Sequence, residues 1–187
     1  MTKGEPLRDL TAAAIIDSAA MVLAQRGESA SMEEIANAAG VGRATLYRYF
    51  PNRDVLLEAM AASSVQELAK RIEQADLETV PFEEAIARLA RGIIATGSKY
   101  VALNADSAKH ADTYPAFDTE IIQPVRALFR RAITDGWLRA DLDPDLALEL
   151  FSGLIKAALE SAASAQRGIE ETAATVTTLF LHGARAR

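Results

Sequence analysis

The chain has 187 residues, of which 50% are hydrophobic and 25% are charged, and this length and composition suit one or two folded domains and argue against disorder. It contains no cysteine, which excludes disulfide bonds and thiolate metal sites and makes a reducing compartment the simplest environment. Its net charge of −6 argues at first sight against a nucleic-acid partner.

The sequence shows no targeting or membrane-spanning segment. Residues 1–6 lack a hydrophobic signal core, and no apolar run reaches the roughly 18 residues that a membrane helix requires. We therefore expect a soluble, cytoplasmic protein without a membrane partner.

The first predicted element is a helix from Leu7 to Arg26. Its apolar residues recur on one face, and Gly27 follows as a stop signal. We expect this helix to pack behind the two short helices that follow it in the chain.

Two short helices joined by a tight turn are predicted between Ser31 and Arg53. Ser31 and Glu34 form a Ser-x-x-Glu capping box, in which each side chain satisfies a backbone amide of the other residue, so a helix should begin at Ser31. Gly40 supplies the positive φ that the turn requires, and the small side chain of Ala36 lets the second helix cross closely. This arrangement is typical of a DNA-binding helix-turn-helix.

The second short helix, from Arg43 to about Phe50, is basic and aromatic on the faces that do not pack inward. Leu46 and Phe50 are four positions apart and should face the core. Positions 35–53 contain three arginines, at 43, 48 and 53, and no carboxylate. Because ions screen surface charge beyond about 8 Å, this local patch matters more for contact with phosphate than the net charge of the chain does.

The run from Gly40 to Asp54, G-V-G-R-A-T-L-Y-R-Y-F-P-N-R-D, resembles the tetracycline-repressor (TetR) family. It is similar to that family's turn, recognition helix and following helix start. The resemblance implies an all-α protein with an N-terminal three-helix DNA-binding domain at residues 1–52. A larger helical domain for ligand binding and dimerisation would follow at residues 53–187, beginning with a connecting helix at residues 53–75.

The resemblance also implies a role for each matching residue. Arg43 would bond to guanine in the major groove, the Ala44 methyl would touch a thymine methyl, and Thr45 would lie beside them. Ser31, Tyr47, Tyr49 and Arg53 would contact phosphates. Gly42 is the remaining DNA-binding position and would contribute no side chain. The alternative interpretation is that Tyr47 and Tyr49 are ordinary half-buried residues and that Arg48 belongs to a solvated face.

Two features depart from the family pattern. Gly42 stands where the family often carries a base-contacting or capping side chain, so base recognition would rest on fewer side chains. Glu33 and Glu34 favour the start of their helix but place negative charge close to the phosphates. Both features leave the affinity and the operator length open.

Beyond the motif the sequence predicts helices and no strand. They run over 53–75, from 82 to a kink or break at Gly97-Ser98, over 117–135 with Pro124 at a kink or in the first turn, from Asp143 and Pro144 to 166, and over 170–182. Residues 76–81 are predicted to form a turn and residues 105–115 a loop.

The helices from Phe82 to Ala165 should enclose a pocket for a small apolar or amphipathic effector. The candidate lining residues are Phe82, Ile86, Tyr100, Asn104, Phe117, Ile121, Trp137 and Phe151. Each of these side chains is also explained as plain core.

The last two helices carry apolar or small residues on more than one face. A helix of this kind needs more than one packing partner, and a second copy of the chain can supply the other. Pairing of both helices into a four-helix bundle is also what the resemblance implies, so we expect a homodimer.

The sequence predicts no cofactor, no metal site and no enzyme activity. His110 with Asp106 and Asp112 has no second histidine at ligand spacing, and no nucleophile motif occurs. We expect a ligand-responsive transcriptional regulator, a repressor that binds a palindromic double-stranded DNA operator. The alternative is an all-α ligand-binding or enzymatic bundle that does not use its helix-turn-helix, and the net negative charge of residues 1–60 favours it.

Overall fold

The computed structural model describes residues 5–103, 117–165 and 168–185. Within these ranges the chain is helical. The α-helices are α1 (Glu5–Arg26), α2 (Met32–Ala38), α3 (Arg43–Tyr49), α4 (Arg53–Gln74), α5 (Phe82–Lys99), α6 (Gln123–Thr134), α7 (Pro144–Ala165) and α8 (Ile169–Ala184). Short 3-10 turns lie at Gly27–Ser29 and Val101–Leu103, and a π-helical turn lies at Asp118–Ile122. The described residues form no strand, and a single bridge joins Leu138 to Arg185.

The chain divides into two units. The first contains the residues up to Ser64 and the segment that begins at Lys99, and the second contains Val65–Ser98 and the described residues from 117 onward. The change of unit therefore falls inside α4, whereas the predicted domain boundary, after residue 52, falls at the start of that helix. The functional division into residues 1–52 and 53–187 stays a prediction.

The core of the first unit is built from α1 to α4 and one residue that follows α5. Its fully or almost fully buried members include Ile15, Ala19, Leu23, Ile35, Ala36, Leu46, Leu56, Met60 and Tyr100. The Tyr100 hydroxyl lies 3.2 Å from the Ser63 hydroxyl of α4. Tyr100 thus belongs to a different unit from Phe82 and Phe151, with which it was predicted to share a pocket.

The core of the second unit is organised around aromatic rings. Phe129, Phe151 and Phe180 meet with ring centroids 5.1–5.9 Å apart, and Phe82 lies 5.7 Å from Phe129 and 4.5 Å from Trp137. Tilted and edge-on contacts of this kind stabilise a core beyond the burial of the ring areas. They fix α5 to α8 together.

The break predicted at Gly97-Ser98 is wrong, because α5 continues without interruption to Lys99, and a kink at this point stays a prediction. Gly97 is explained by packing within the second unit. A Cβ atom at this position would lie 2.8 Å from both terminal carbons of Leu159 in α7. The missing side chain therefore makes room for Leu159 and does not end the helix.

Proline and aspartate mark the helix starts in the second unit as predicted. Pro124 lies in the first turn of α6, directly after the π-helical turn. Asp143 caps α7, since its carboxylate accepts a hydrogen bond of 2.9 Å from the amide of Leu146, and Pro144 is the first residue of that helix. The predicted loop at 105–115 lies outside the described residues. No helix in the described ranges is long and apolar enough to cross a membrane.

Candidate nucleic-acid interface

The first helix of the motif begins at Ser31 with the predicted capping box. The Ser31 hydroxyl accepts a hydrogen bond of 3.2 Å from the Glu34 amide, and the Glu34 carboxylate accepts one of 2.9 Å from the Ser31 amide. The same hydroxyl donates to the Glu34 carboxylate at 3.0 Å. The Ser31 hydroxyl therefore already donates one hydrogen bond and accepts another, both with Glu34. A phosphate would have to compete with the Glu34 carboxylate for the hydroxyl proton.

The turn between α2 and α3 is held by main-chain contacts. Gly40 has a φ of 67°, and the amide of Val41 donates a hydrogen bond of 3.0 Å to the carbonyl of Ala36. Ala36 and Leu46 are fully buried. The structure thus confirms the close crossing that the small Ala36 and the left-handed Gly40 predict.

Helix α3 turns one face inward and leaves the other exposed. Leu46 and the adjoining Phe50 are buried, while Gly42, Arg43, Ala44, Tyr47 and Arg48 are exposed. Among the predicted contact residues, Thr45 and Tyr49 are half-buried, and the Arg48 guanidinium lies 5.4 Å from the centre of the Tyr49 ring. We call Gly42, Arg43, Ala44 and Tyr47 the α3 face; it brings together four of the eight predicted DNA-binding residues.

Arg43 forms an ion pair that was not predicted. Its guanidinium donates a hydrogen bond of 3.2 Å to the carboxylate of Glu33, which lies on α2. The sequence did show that Glu33 would carry negative charge near the DNA, but the pairing depends on the crossing of the two helices. The candidate base-reading cation therefore has a partner before any duplex binds.

Arg53, the predicted phosphate contact at the start of α4, is half-buried and bonded to protein. Its guanidinium donates a hydrogen bond to the main-chain carbonyl of Ala30, in the turn before α2. The preceding Asn52 caps α4, since its side-chain oxygen accepts a hydrogen bond of 2.9 Å from the amide of Val55. Arg53 thus ties α4 to the start of the motif in addition to any contact with DNA.

The predicted effector-pocket residues of the second unit are mostly core. Phe82, Ile86, Ile121 and Phe151 are buried, and Phe117 and Trp137 pack partly buried against them. Asn104 lies outside the described residues, as do His110, Asp106 and Asp112. In the described ranges no group of three or more His, Cys, Asp or Glu could hold a metal ion. Contact of these residues with an effector stays a prediction.

The second unit contains a cavity of about 780 Å³ elsewhere. It lies beside the C-terminal half of α4, the turn that follows and the start of the α6 region. Ile72, Leu77 and Pro124 supply apolar surface, and Lys70, Glu73, Asp76, Glu78 and Glu120 supply charge. None of the seven predicted pocket residues that the structure describes lines this cavity.

The pKa of one carboxyl near the predicted pocket is shifted. The indole N–H of Trp137 is the largest cause that lowers the pKa of Glu83 below its ordinary 4.5, and the positive charge of Arg185 lowers it further, against a partial desolvation that raises it. The Trp137 indole nitrogen is buried and forms no hydrogen bond of ordinary geometry within the described residues, so it acts on the Glu83 carboxylate as a nearby donor and not through a formed bond.

The chain is similar to known bacterial regulators along most of its length. A family model described as "Bacterial regulatory proteins, tetR family" matches residues 15–60. The HTH-type transcriptional repressor LfrR of Mycolicibacterium smegmatis is 33% identical over 157 residues, which cover 83% of this chain and 80% of LfrR. The HTH-type transcriptional regulator NfxB of Pseudomonas aeruginosa is 27% identical, with 83% of this chain and 84% of NfxB covered.

A solved structure supports the same relationship. The crystal structure of the TetR-like regulator LfrR from Mycobacterium smegmatis in complex with proflavine superposes with a TM-score of 0.72 and 27% identity, covering 95% of this chain and 98% of LfrR. The similarity spans the helix-turn-helix and the helices that follow it. The chain belongs to the TetR family of bacterial transcriptional regulators.

Proposed function

We propose that this chain is a transcriptional repressor that binds a palindromic operator as a homodimer and leaves the DNA when a small molecule binds. The observation that carries the proposal is the α3 face, which exposes a cation, a methyl group and a tyrosine hydroxyl while Leu46 holds the helix to the core. An exposed helix of this composition, set by a tight turn against a second helix, fits the major groove.

The exposed residues divide into base contacts and phosphate contacts. Arg43 and Ala44 stand at the N-terminal end of α3, the end that approaches base edges in a helix-turn-helix, with Thr45 beside them. Tyr47, with 41% of its surface exposed, offers a hydroxyl to a phosphate. Tyr49 and Arg53 are less exposed and would add phosphate contacts at the edge of the interface.

Exposed leucines on the last two helices support the homodimer. Leu146 and Leu150 on α7 and Leu179 on α8 are 48%, 55% and 61% exposed in the single chain. Large apolar side chains exposed on neighbouring helices are typical of a protein interface. A second copy that covers them by two-fold symmetry would form the four-helix bundle expected from the sequence.

A small molecule bound by the second unit would control the dimer. LfrR binds proflavine in its crystal structure, which supports a small-molecule effector for this relative of LfrR. The mixed apolar and charged lining of the 780 Å³ cavity suits an amphipathic molecule, and the cavity is of ordinary size for a ligand site.

The mechanism would be a change in the spacing of the two recognition helices. They must lie about 34–36 Å apart to enter successive major grooves on one face of the duplex. An effector that binds more tightly to a dimer with another spacing shifts the population toward that dimer and so away from DNA. To turn an almost fully DNA-competent population into an almost fully incompetent one, the effector must bind the second state about 5.5 kcal/mol more tightly than the first. Helix α4 runs from the first unit into the second and so connects the two functions.

The proposal places the protein in the bacterial cytoplasm, where its DNA is. The repressors and regulators among its relatives favour this function over a helical bundle that does not use its helix-turn-helix. A duplex from the region beside the gene, tested by gel shift at two salt concentrations against a shuffled duplex, would distinguish the two. Selective, salt-sensitive binding supports the regulator; equal binding to both duplexes, or none, contradicts it.

A further inference from the structure

Glu33 and Arg43 meet across the turn of the motif. Glu33 lies in the first turn of α2, three residues before Ala36, at which the two helices cross. Arg43 is the first residue of α3, and its guanidinium lies 3.2 Å from the Glu33 carboxylate. The buried Ala36 and Leu46 hold α2 and α3 against each other, so the two helices that carry Glu33 and Arg43 have a fixed crossing.

Nothing else in the described part of the structure holds the Arg43 guanidinium by charge or hydrogen bond. Gly42 has no side chain, and the space around a Cβ atom at that position is open to 4 Å. Ala44, on the other side, brings only a methyl group. The Arg43 side chain is 64% exposed, and without Glu33 it would sample many rotamers.

The pair is too exposed to matter for stability. The two side chains are 64% and 58% exposed, and such surface ion pairs contribute little to folding. Glu33 is also not needed for the capping box, in which Ser31 pairs with Glu34. A carboxylate at this place favours the start of α2 through the helix dipole, but it lies close to the phosphates that the motif approaches and disfavours DNA binding of every sequence. Its pairing with Arg43 points to a second role, in recognition.

We infer that Glu33 is a positioning residue, which holds the Arg43 guanidinium toward the base edges and lowers the affinity for all duplexes while raising the discrimination between them. This inference rests on the proposed base contact of Arg43. A flexible arginine can bind any nearby phosphate, and phosphates are present at every position of every sequence. The Glu33 carboxylate would orient the planar guanidinium of Arg43 and would repel phosphate. It would therefore favour the bidentate contact of Arg43 with guanine over a contact with phosphate, which carries no sequence information.

The experiment compares two duplexes and four variants of the full chain. The wild-type chain selects a duplex from a random-sequence library, and a shuffled duplex of equal length is the reference. Binding of Glu33→Gln, Arg43→Ala, the double variant and Glu28→Gln is measured by fluorescence anisotropy over a range of salt concentrations. Glu28 is the matched control, because it is an exposed carboxylate of the same unit that forms no ion pair in the described structure.

Glu33→Gln should bind the shuffled duplex more tightly than the wild type does. It should also lower the ratio of the affinities for the selected and the shuffled duplex by about five-fold or more, which is the lower end of the discrimination that one bidentate base contact provides. Its salt slope on the shuffled duplex should steepen by about one, because the released Arg43 neutralises a further phosphate. Glu28→Gln should tighten both duplexes alike and keep the ratio. In the Arg43→Ala background, Glu33→Gln should leave the ratio unchanged.

The outcomes separate the inference from the proposed function. If Arg43→Ala lowers the ratio but Glu33→Gln behaves like Glu28→Gln, Glu33 does not position Arg43 and the inference alone is overturned. If Glu33→Gln changes the ratio even without Arg43, Glu33 contacts the bases itself and the inference is equally overturned. If Arg43→Ala leaves the ratio unchanged, the proposed base contact fails first. Circular dichroism of each variant checks that α2 is retained.

Discussion

The guanidinium of Arg53, at the start of α4, donates a hydrogen bond to the main-chain carbonyl of Ala30, in the turn before α2. This contact joins two segments of the first unit that are 23 residues apart in sequence. A residue that the sequence assigns to phosphate binding therefore also has a structural role. Its substitution should change two independent measurements.

Arg53→Ala should lower both stability and DNA affinity. Loss of a charged hydrogen bond from the half-buried Arg53 to the carbonyl of the buried Ala30 should reduce the free energy of unfolding by about 1–2 kcal/mol, measured by urea denaturation. Loss of a phosphate contact should weaken all duplexes alike and flatten the salt slope by about 0.9. Arg48→Ala removes an exposed cation that contacts only the Tyr49 ring among the contacts described for it, and it should reduce stability by less, about 0.5 kcal/mol. An unchanged salt slope in Arg53→Ala would leave the residue with its structural role alone.

Tyr47→Phe should weaken binding without changing selectivity. The substitution removes only the hydroxyl from an exposed ring of the α3 face, so the loss should be about 0.5–1.5 kcal/mol on operator and shuffled duplex alike. Arg43→Ala is the contrasting variant, with a loss of about 1–3 kcal/mol that relaxes the preference at one base pair of each half-site. Anisotropy titrations with single-base operator variants measure both. A change of base preference in Tyr47→Phe would assign Tyr47 to the bases and not to a phosphate.

Gly97→Ala and Gly92→Ala should differ although both lie inside α5. Alanine favours a helix over glycine by about 1 kcal/mol, and at Gly92 the new Cβ would be 3.4 Å from the Cβ of Arg71, an acceptable contact. At Gly97 it would be 2.8 Å from Leu159, whose side chain must move. We expect Gly97→Ala to be less stable than Gly92→Ala by about 1–2 kcal/mol in thermal or urea unfolding. Equal stabilities would show that Leu159 moves without cost.

The helix starts could be predicted because their determinants are local. Ser31, Asn52 and Asp143 each bond to an amide three residues further along the chain, and Gly40 adopts its left-handed conformation within a four-residue turn. Sequence spacing contains all of this information. The same holds for the division of α3 into a buried Leu46 and an exposed Arg43, which follows from the helical period.

The remaining features depend on packing between distant segments. The contact of Gly97 with Leu159 requires the arrangement of α5 and α7, so the sequence alone favoured a helix break at this glycine. Tyr100 looks like a pocket aromatic in sequence but is buried beside Ser63 of α4, which lies 37 residues earlier. The pairing of Glu33 with Arg43 likewise follows from the crossing of α2 and α3. Composition shows that such residues exist, but it does not show what they contact.

Glu83→Gln should destabilise the second unit in a pH-dependent way. The Trp137 indole and the charge of Arg185 lower the pKa of Glu83 in the folded chain, so the ionised carboxylate favours folding above its ordinary pKa of 4.5. This stabilisation should be lost as the pH falls through the lowered pKa. Unfolding of wild type and Glu83→Gln, measured between pH 7 and pH 3, should therefore converge at the acidic end. A difference that stays constant with pH would assign the effect to shape and not to charge.

Leu150→Asp should separate dimerisation from folding. Leu150 is 55% exposed on α7 in the single chain, so a charge there should not disturb the core, but it would be buried without a partner in the proposed four-helix bundle. Sedimentation at micromolar concentration should show a dimer for the wild type and a monomer for the variant. The affinity of the variant for the operator should fall steeply, because a monomer contacts only one half-site. Leu10→Asp, at a leucine that is 67% exposed on α1, is the matched control and should keep the dimer. A dimeric Leu150→Asp with full operator affinity would place the interface on another surface.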